Sequence, residues 1–198
     1  MHVRLAALAK SVQQCRICEA SLPHGPRPVI QVHQSARILI AGQAPGRRVH
    51  ESGIPFDDAS GDRLRGWMGI SRESFYDTAR IAILPMGFCY PGKGKSGDLP
   101  PRPECAPAWR QQLLDAMPQI RLTLVIGLYA QRWHLPTDRR NLTDTVRAWR
   151  EFGPEVMPLP HPSPRNNIWM SRNPWFVDSL VPALKKRVIN SLRSDGRA

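Results

Sequence analysis

The chain has 198 residues and a mass of 22.3 kDa, enough for one well-formed core and short for two large domains, so a single domain over 1–198 is expected. A formal charge of +12 and a pI near 10.6 favour polyanionic partners, because a basic face attracts phosphates and speeds encounter; a basic protein with no such partner is the plainer alternative. No stretch approaches the ~20 apolar residues of a membrane span. Met1–Gln14 lacks the apolar core and small-residue cleavage site of a secretory leader, so a cytoplasmic, non-membrane protein is expected.

Arg4 to Gln14 reads as a short helix leading into Cys15. Arg37 to Ala41 is an apolar run ending at Gly42, a buried strand entering a tight loop. Asp62 to Met68 reads as a helix with Leu64, Trp67 and Met68 on one side. Ser71 is placed to cap the next helix, with Glu73 and Ser74 in its first turn. Arg80 to Met86 is a second strand, ended by Pro85, and Pro107 to Ala116 a helix before Pro118. Leu122 to Gly127 is the clearest parallel strand, and Leu128 to Trp133 begins a further helix. Glu155 to Leu159 is a fourth strand, feeding the loop His161-Pro162-Ser163-Pro164-Arg165-Asn166; Pro174 to Val188 closes the chain as a helix. Strands alternating with helices predict a three-layer α/β/α fold around a central, mostly parallel four-stranded sheet. Many of the 20 prolines fall in three clusters, 23–28, 91–107 and 154–174, which marks loops held in shape. Open sheets of this class place their sites where strand-end loops meet, here the Gly42–Gly46 and His161–Asn166 loops.

The four cysteines fall in two pairs. Cys15 and Cys18 have Cys-x-x-Cys spacing; Cys89 and Cys105 flank a loop rich in Gly, Pro and Lys. Four thiolates can hold tetrahedral zinc or a [4Fe-4S] cluster, and the wide second pair leans toward a cluster joining two loops. A cytoplasmic chain rarely uses such residues for disulfides, and unrelated buried cysteines are the remaining alternative. Lys93, Lys95, Arg102 and Arg110 surround this region in sequence, which suits a metal loop that also touches phosphates.

Taken in order, Cys15-x-x-Cys18, the strand into Gly42-Gln43-Ala44-Pro45-Gly46, Gly53-Ile54-Pro55-Phe56, and Cys89 with Cys105 resemble the uracil-DNA glycosylase superfamily. The closest pattern is its iron–sulfur branch from bacteria and archaea. His161-Pro162-Ser163-Pro164-Arg165-Asn166 and Asn173-Pro174-Trp175 are more similar to the single-strand-selective branch. The resemblance covers Cys15 to about Phe176. It implies a monofunctional glycosylase acting on a deaminated base in DNA, uracil first, with Cys15, Cys18, Cys89 and Cys105 holding a structural [4Fe-4S] cluster and a single chain sufficing. By the same resemblance Gln43 and its loop (Gly42, Ala44, Pro45) face the flipped base and sugar, and Phe56 stacks on the base. His161 hydrogen-bonds the base oxygen where negative charge builds, and Ser163, Arg165 and Asn166 press on the DNA backbone, with the basic Arg47 and Arg48 nearby.

Those residue types suit the chemistry. Breaking an N-glycosidic bond leaves positive charge on the sugar and negative charge on the base, and a donor aimed at the anion lowers the barrier. Two departures stand out. Ala44 replaces the Asp that handles water in familiar members, which leaves Asp58, then Asp57, as the local carboxylates; capping is their ordinary role. Pro85 falls where an Asn usually reads the uracil amide edge, which leaves backbone groups of Met86 and Gly87, or a different damaged base. His50 is placed to face the site or DNA, or else lies on a solvated basic face, and Trp169 or Met170, odd in a wet loop, either wedges into the base stack or packs in the core. His24, His33 and His134 carry no motif. A DNA-binding protein of the same fold without efficient catalysis, and a zinc-stabilised protein with another substrate, are the competing readings.

Overall fold

The computed structural model describes residues 2–135 and 140–193. Its centre is a parallel four-stranded sheet in the order β2 (Ile81–Ile83), β1 (Ile38–Ala41), β5 (Leu122–Ile126), β6 (Val156–Leu159). Ile38 lies opposite Ile81 on one side and Leu122 on the other, and Leu124 lies opposite Met157. A small antiparallel hairpin, β3 (Lys93–Gly94) and β4 (Gly97–Asp98), stands apart.

The strands are continuous apolar runs because both faces of the sheet are covered. Ile38 and Ile40 point to one face, where α3 (Ala59–Met68) and α9 (Val181–Leu192) supply Leu64, Trp67, Met68, Leu184 and Val188. Leu39 points to the other, against Leu5 and Val12 of α1 (His2–Gln13) and Leu113 of α5 (Cys105–Asp115). The three-layer α/β/α architecture expected from the alternation of elements is the one observed. Pro158 sits in β6, an edge strand, where a missing N–H is tolerated. The opposite edge, β2, meets Gln31: its backbone exchanges two hydrogen bonds with Ile83 (2.9 and 2.7 Å), and its side chain donates to the Ile81 and Phe75 carbonyls.

Several boundaries move for local reasons. The helix expected from Asp62 starts at Ala59, because the Asp58 side chain accepts the Gly61 N–H at 2.9 Å and caps it. The helix expected from Pro107 begins at Cys105, with Pro107 in the first turn, where no N–H is needed. The strand expected to Met86 stops at Ile83. The Arg47-Arg48 run forms α2 (Arg47–Ser52), preceding α4 (Arg72–Tyr76). After α6 (Gly127–His134) come α7 (Leu142–Arg147) and α8 (Asn167–Arg172), the latter in a stretch expected to be loop. Among the described residues no helix is long and apolar enough to cross a membrane.

Candidate active site

The strand order reverses direction between β1 and β5, and the carboxyl ends around that point open into a cavity of about 460 Å³. That volume lies within the ~300–1,000 Å³ of small-molecule sites. Its walls come from distant parts of the chain: the Gly42–Val49 segment after β1, Pro85 after β2, Phe56 and Asp58 ahead of α3, and His161, Ser163, Arg165 and Asn166 after β6. Gly42, Gln43, Ala44, Pro45, Arg47 and Arg48 therefore converge with the His161 loop across a sequence separation of more than a hundred residues.

His161 is fixed by its own loop. The Ser163 N–H donates to its Nδ1 at 3.2 Å, and Asn166 donates its side-chain N–H to the His161 carbonyl at 2.6 Å. Nδ1 therefore accepts, and the neutral ring carries its proton on Nε2. Burial pushes the His161 pKa below its ordinary value, while Asp58 and Asp98 oppose that shift. Arg63 of α3 braces the loop from below, donating to the Ser163 carbonyl at 3.0 Å and to Asn167 Oδ1 at 2.8 Å. No pattern in the sequence marks this brace, since Arg63 reads as one more surface cation.

Phe56 takes a left-handed backbone (φ 55°), the only described non-glycine residue to do so. Such a conformation persists where its surroundings over-determine it. Tyr76 donates its hydroxyl to the Pro55 carbonyl at 2.9 Å, and the ring of Phe56 meets Phe75 edge-on with centroids 6.1 Å apart. The ring lies beside Gly42, where an added Cβ would stand 3.6 Å from the ring edge, an ordinary contact.

Of the two expected carboxylates, Asp58 lines the cavity and Asp57 does not. One oxygen of Asp58 caps α3, which leaves the other for the cavity. Asp57 is held by Arg72 at 2.9 Å. A third carboxylate, Asp98, was not foreseen. It reaches the cavity from the β3–β4 hairpin, which bridges both loops: a Cβ on Gly46 would lie 3.6 Å from Asp98 Oδ2, and one on Gly97 2.8 Å from Arg165 Nη1. The glycines at positions 94 and 97 were its one sequence signal, because strands of two residues have no periodicity.

Met86 and Gly87 stand elsewhere. The Met86 N–H donates to the Gly42 carbonyl and the Gly87 N–H to the Gln43 carbonyl, both at 2.9 Å, so neither N–H is free to read a base. They hold the Gly42–Gln43 loop instead. His50 also turns away from the cavity, its ring packed against His24 and Tyr90 at centroid distances of 5.9 and 6.0 Å. Trp169 and Met170 belong to α8 and pack on the core, Trp169 against Phe176 at 5.6 Å with its Nε1–H on Thr143 Oγ1 at 2.8 Å. The exposed apolar residue of that helix is Ile168, 65% accessible.

The four cysteines, 15, 18, 89 and 105, line one second cavity under the Pro26–Pro28 loop. Among the described residues no three His, Cys, Asp or Glu side chains are drawn tightly enough together to enclose a single ion. Two of the sulfurs nonetheless face an N–H donor: Trp109 Nε1 reaches Cys15 and the Phe88 backbone N–H reaches Cys105, both at 3.3 Å, while the Cys18 thiol lies 4.0 Å from a Glu104 carboxylate oxygen. Burial pushes the Cys89 thiol up to about 11 and the Cys105 thiol up to about 12, so neither is a ready nucleophile at neutral pH. A donor set of four sulfurs around one cavity, two of them facing an N–H, fits a thiolate-bound metal group.

Fold and cavity define an α/β protein with a candidate site at the strand ends. Residues 30–185 match the Uracil DNA glycosylase superfamily, well over half of the chain, and the protein belongs to that superfamily.

Proposed function

We propose that this chain is a single-domain, monofunctional DNA glycosylase that hydrolyses the N-glycosidic bond of a deaminated base, uracil first, and leaves an abasic site for base-excision repair. The observation that carries the reading is the Nε2–H of a half-buried, neutral His161 in a cavity shared with Phe56 and Asp58. In this mechanism the flipped base stacks on Phe56, with Gln43 at its polar edge. As the bond between base nitrogen and C1′ breaks, the His161 Nε2–H stabilises the negative charge on the base oxygen. The free oxygen of Asp58 stabilises the positive sugar and orients a water. That water's oxygen bonds to C1′, and its proton ends on the departed base. No lysine lines the cavity among the described residues, which suits hydrolysis over lyase chemistry. Arg47, Arg48, Arg165, Ser163 and Asn166 border the same opening and are assigned to the DNA backbone.

The cysteine cavity is assigned to a [4Fe-4S] cluster, with zinc as the alternative. Cys15, Cys18, Cys89 and Cys105 would hold it, and its contribution is structural: it ties the end of α1 and the segment after β2 to the start of α5. Free cysteines in this role suit the reducing cytoplasm, and one chain suffices for the reaction.

Pro85 with the occupied N–H groups of Met86 and Gly87 favours one second reading, a damaged base other than uracil. The test is a cleavage panel of single- and double-stranded oligonucleotides carrying uracil, hypoxanthine or xanthine, treated with alkali and sized. Cleavage at uracil supports the first reading, and cleavage at another base alone supports the second. Tight DNA binding with no cleavage moves the protein to a binding role.

A further inference from the structure

Seven large apolar side chains are exposed among the described residues, and Leu99, 43% accessible, is the one of them that also lines the base cavity. It directly follows Asp98, the last residue of the β3–β4 hairpin. Its backbone N–H donates to the Gly92 carbonyl at 2.9 Å and closes the foot of that hairpin. Its methyl groups lie over two of the hairpin's glycines: a Cβ on Gly94 would stand 3.2 Å from Leu99 Cδ2, and one on Gly92 3.6 Å from Cδ1. Leu99 joins none of the hydrophobic clusters of the core among the described residues. The side chain is thus seated on the hairpin at the mouth of the cavity, with an apolar surface left open to solvent.

The surroundings of Leu99 are basic. Lys93 and Lys95 of the hairpin are exposed, and Arg47 and Arg48 line the same opening. Arg165 arrives from the His161 loop, so close that a Cβ on Gly97 would stand 2.8 Å from its Nη1. One apolar side chain within a rim of cations matches a polyanion whose interior is a stack of apolar rings. A protein partner would call for a broader apolar face.

We propose that Leu99 is the wedge this protein presses into duplex DNA, filling the gap left by the base that enters the cavity, with Lys93 and Lys95 on the flanking phosphates. The proposal rests on the glycosylase reading above. Removing a base from a duplex breaks its stacking, and an apolar side chain in the gap restores part of that contact and bars the base from returning. Phe56 receives the base inside the cavity, and Leu99 occupies the place it has left. A single strand leaves far less stacking to replace, so the contribution of Leu99 falls on duplex.

The experiment compares single-turnover cleavage of one sequence as duplex and as single strand, carrying whichever of uracil, hypoxanthine or xanthine the wild type cleaves. Wild type, Leu99→Ala, Leu99→Met and Ile168→Ala are measured, with 2-aminopurine beside the target base to report its departure from the stack. Leu99→Ala should lower the duplex rate about tenfold more than the single-strand rate and weaken the 2-aminopurine signal on duplex. Leu99→Met keeps a long apolar side chain and should stay within about threefold of wild type on both substrates. Equal losses on duplex and single strand, or no loss on duplex, overturn the wedge and leave the glycosylase reading standing. A duplex-selective loss in Ile168→Ala alone overturns it too and moves the wedge to α8. A wild type that cleaves none of the three bases in either form overturns the glycosylase reading and the wedge with it.

Discussion

Gly61 lies so close beneath Phe56 that a methyl group on its α-carbon would stand 1.8 Å from the Phe56 carbonyl oxygen and 2.9 Å from its Cβ. The first turn of α3 and Phe56 are thus a single packed unit. Gly61→Ala must push Phe56 out of its left-handed conformation or detach the start of α3. Overpacking of this kind costs about 1–3 kcal/mol or more. Urea unfolding should record that loss, and base cleavage should fall further than stability alone explains.

His161→Ala should lower the cleavage rate by about 10²–10³, the usual effect of removing one donor to a developing oxyanion. Binding of undamaged duplex should change by no more than a few fold, since the loop keeps its Arg63 brace. Single-turnover cleavage and a fluorescence binding titration separate the two. Unchanged cleavage would remove His161 from the mechanism.

Asp58→Asn keeps an oxygen to cap α3 and removes only the charge, so the fold should survive while cleavage drops about 10²-fold or more. Asp57→Asn, which only loosens the Arg72 pair, should leave cleavage within about threefold, because surface pairs contribute ~1 kcal/mol or less. Rates of the two variants on one substrate make the comparison.

Ile168 and Trp169 are neighbours with opposite expected behaviour. Trp169→Ala removes a ring packed on Phe176 and should destabilise the fold by about 2–4 kcal/mol. Ile168→Ala should leave stability within ~0.5 kcal/mol, because the side chain is exposed. If Ile168 wedges into the stack, its loss should weaken cleavage of duplex more than of single strands.

His134, whose Nε2 accepts from the buried Arg110 guanidinium at 2.8 Å, gives stability a pH dependence. Its folded pKa of about 3 lies below the ordinary 6.5, so its contribution is complete above that ordinary value and is lost as pH falls toward the folded one. The slope is about 1.4 kcal/mol per pH unit. His134→Gln keeps an acceptor for Arg110 and should flatten the profile relative to wild type. Unfolding free energies from about pH 7 to about pH 4 for both proteins read the difference.

The layered fold was legible because β1, β5 and β6 are mostly apolar runs, each ending in a Gly- or Pro-marked loop. The motif residues of the cavity were legible too, since loops after parallel strands have one place to meet. What escaped was whatever depends on partners distant in sequence. Asp98 enters on strands too short for periodicity, and Arg63 acts only through loop carbonyls that no pattern points to. Arg110 looked like a surface cation because no composition rule marks a buried one. Trp169 stayed open between a loop wedge and the core because α8, six residues long, is too short to show a helical apolar period.

Gln31 has a consequence for the life of the protein in a crowded solution. An unpaired outer strand is a template on which a second molecule can add its own strand, and chains grow from such pairings. Here Gln31 takes both bonding positions of Ile83 with its backbone and the Ile81 carbonyl with its side chain. The short β2 strand is thereby closed to a newcomer without needing a further strand of its own. On the far side, Pro158 withholds an N–H from the β6 edge. A sheet so finished resists edge-to-edge aggregation, and Gln31→Leu should reopen one carbonyl to it.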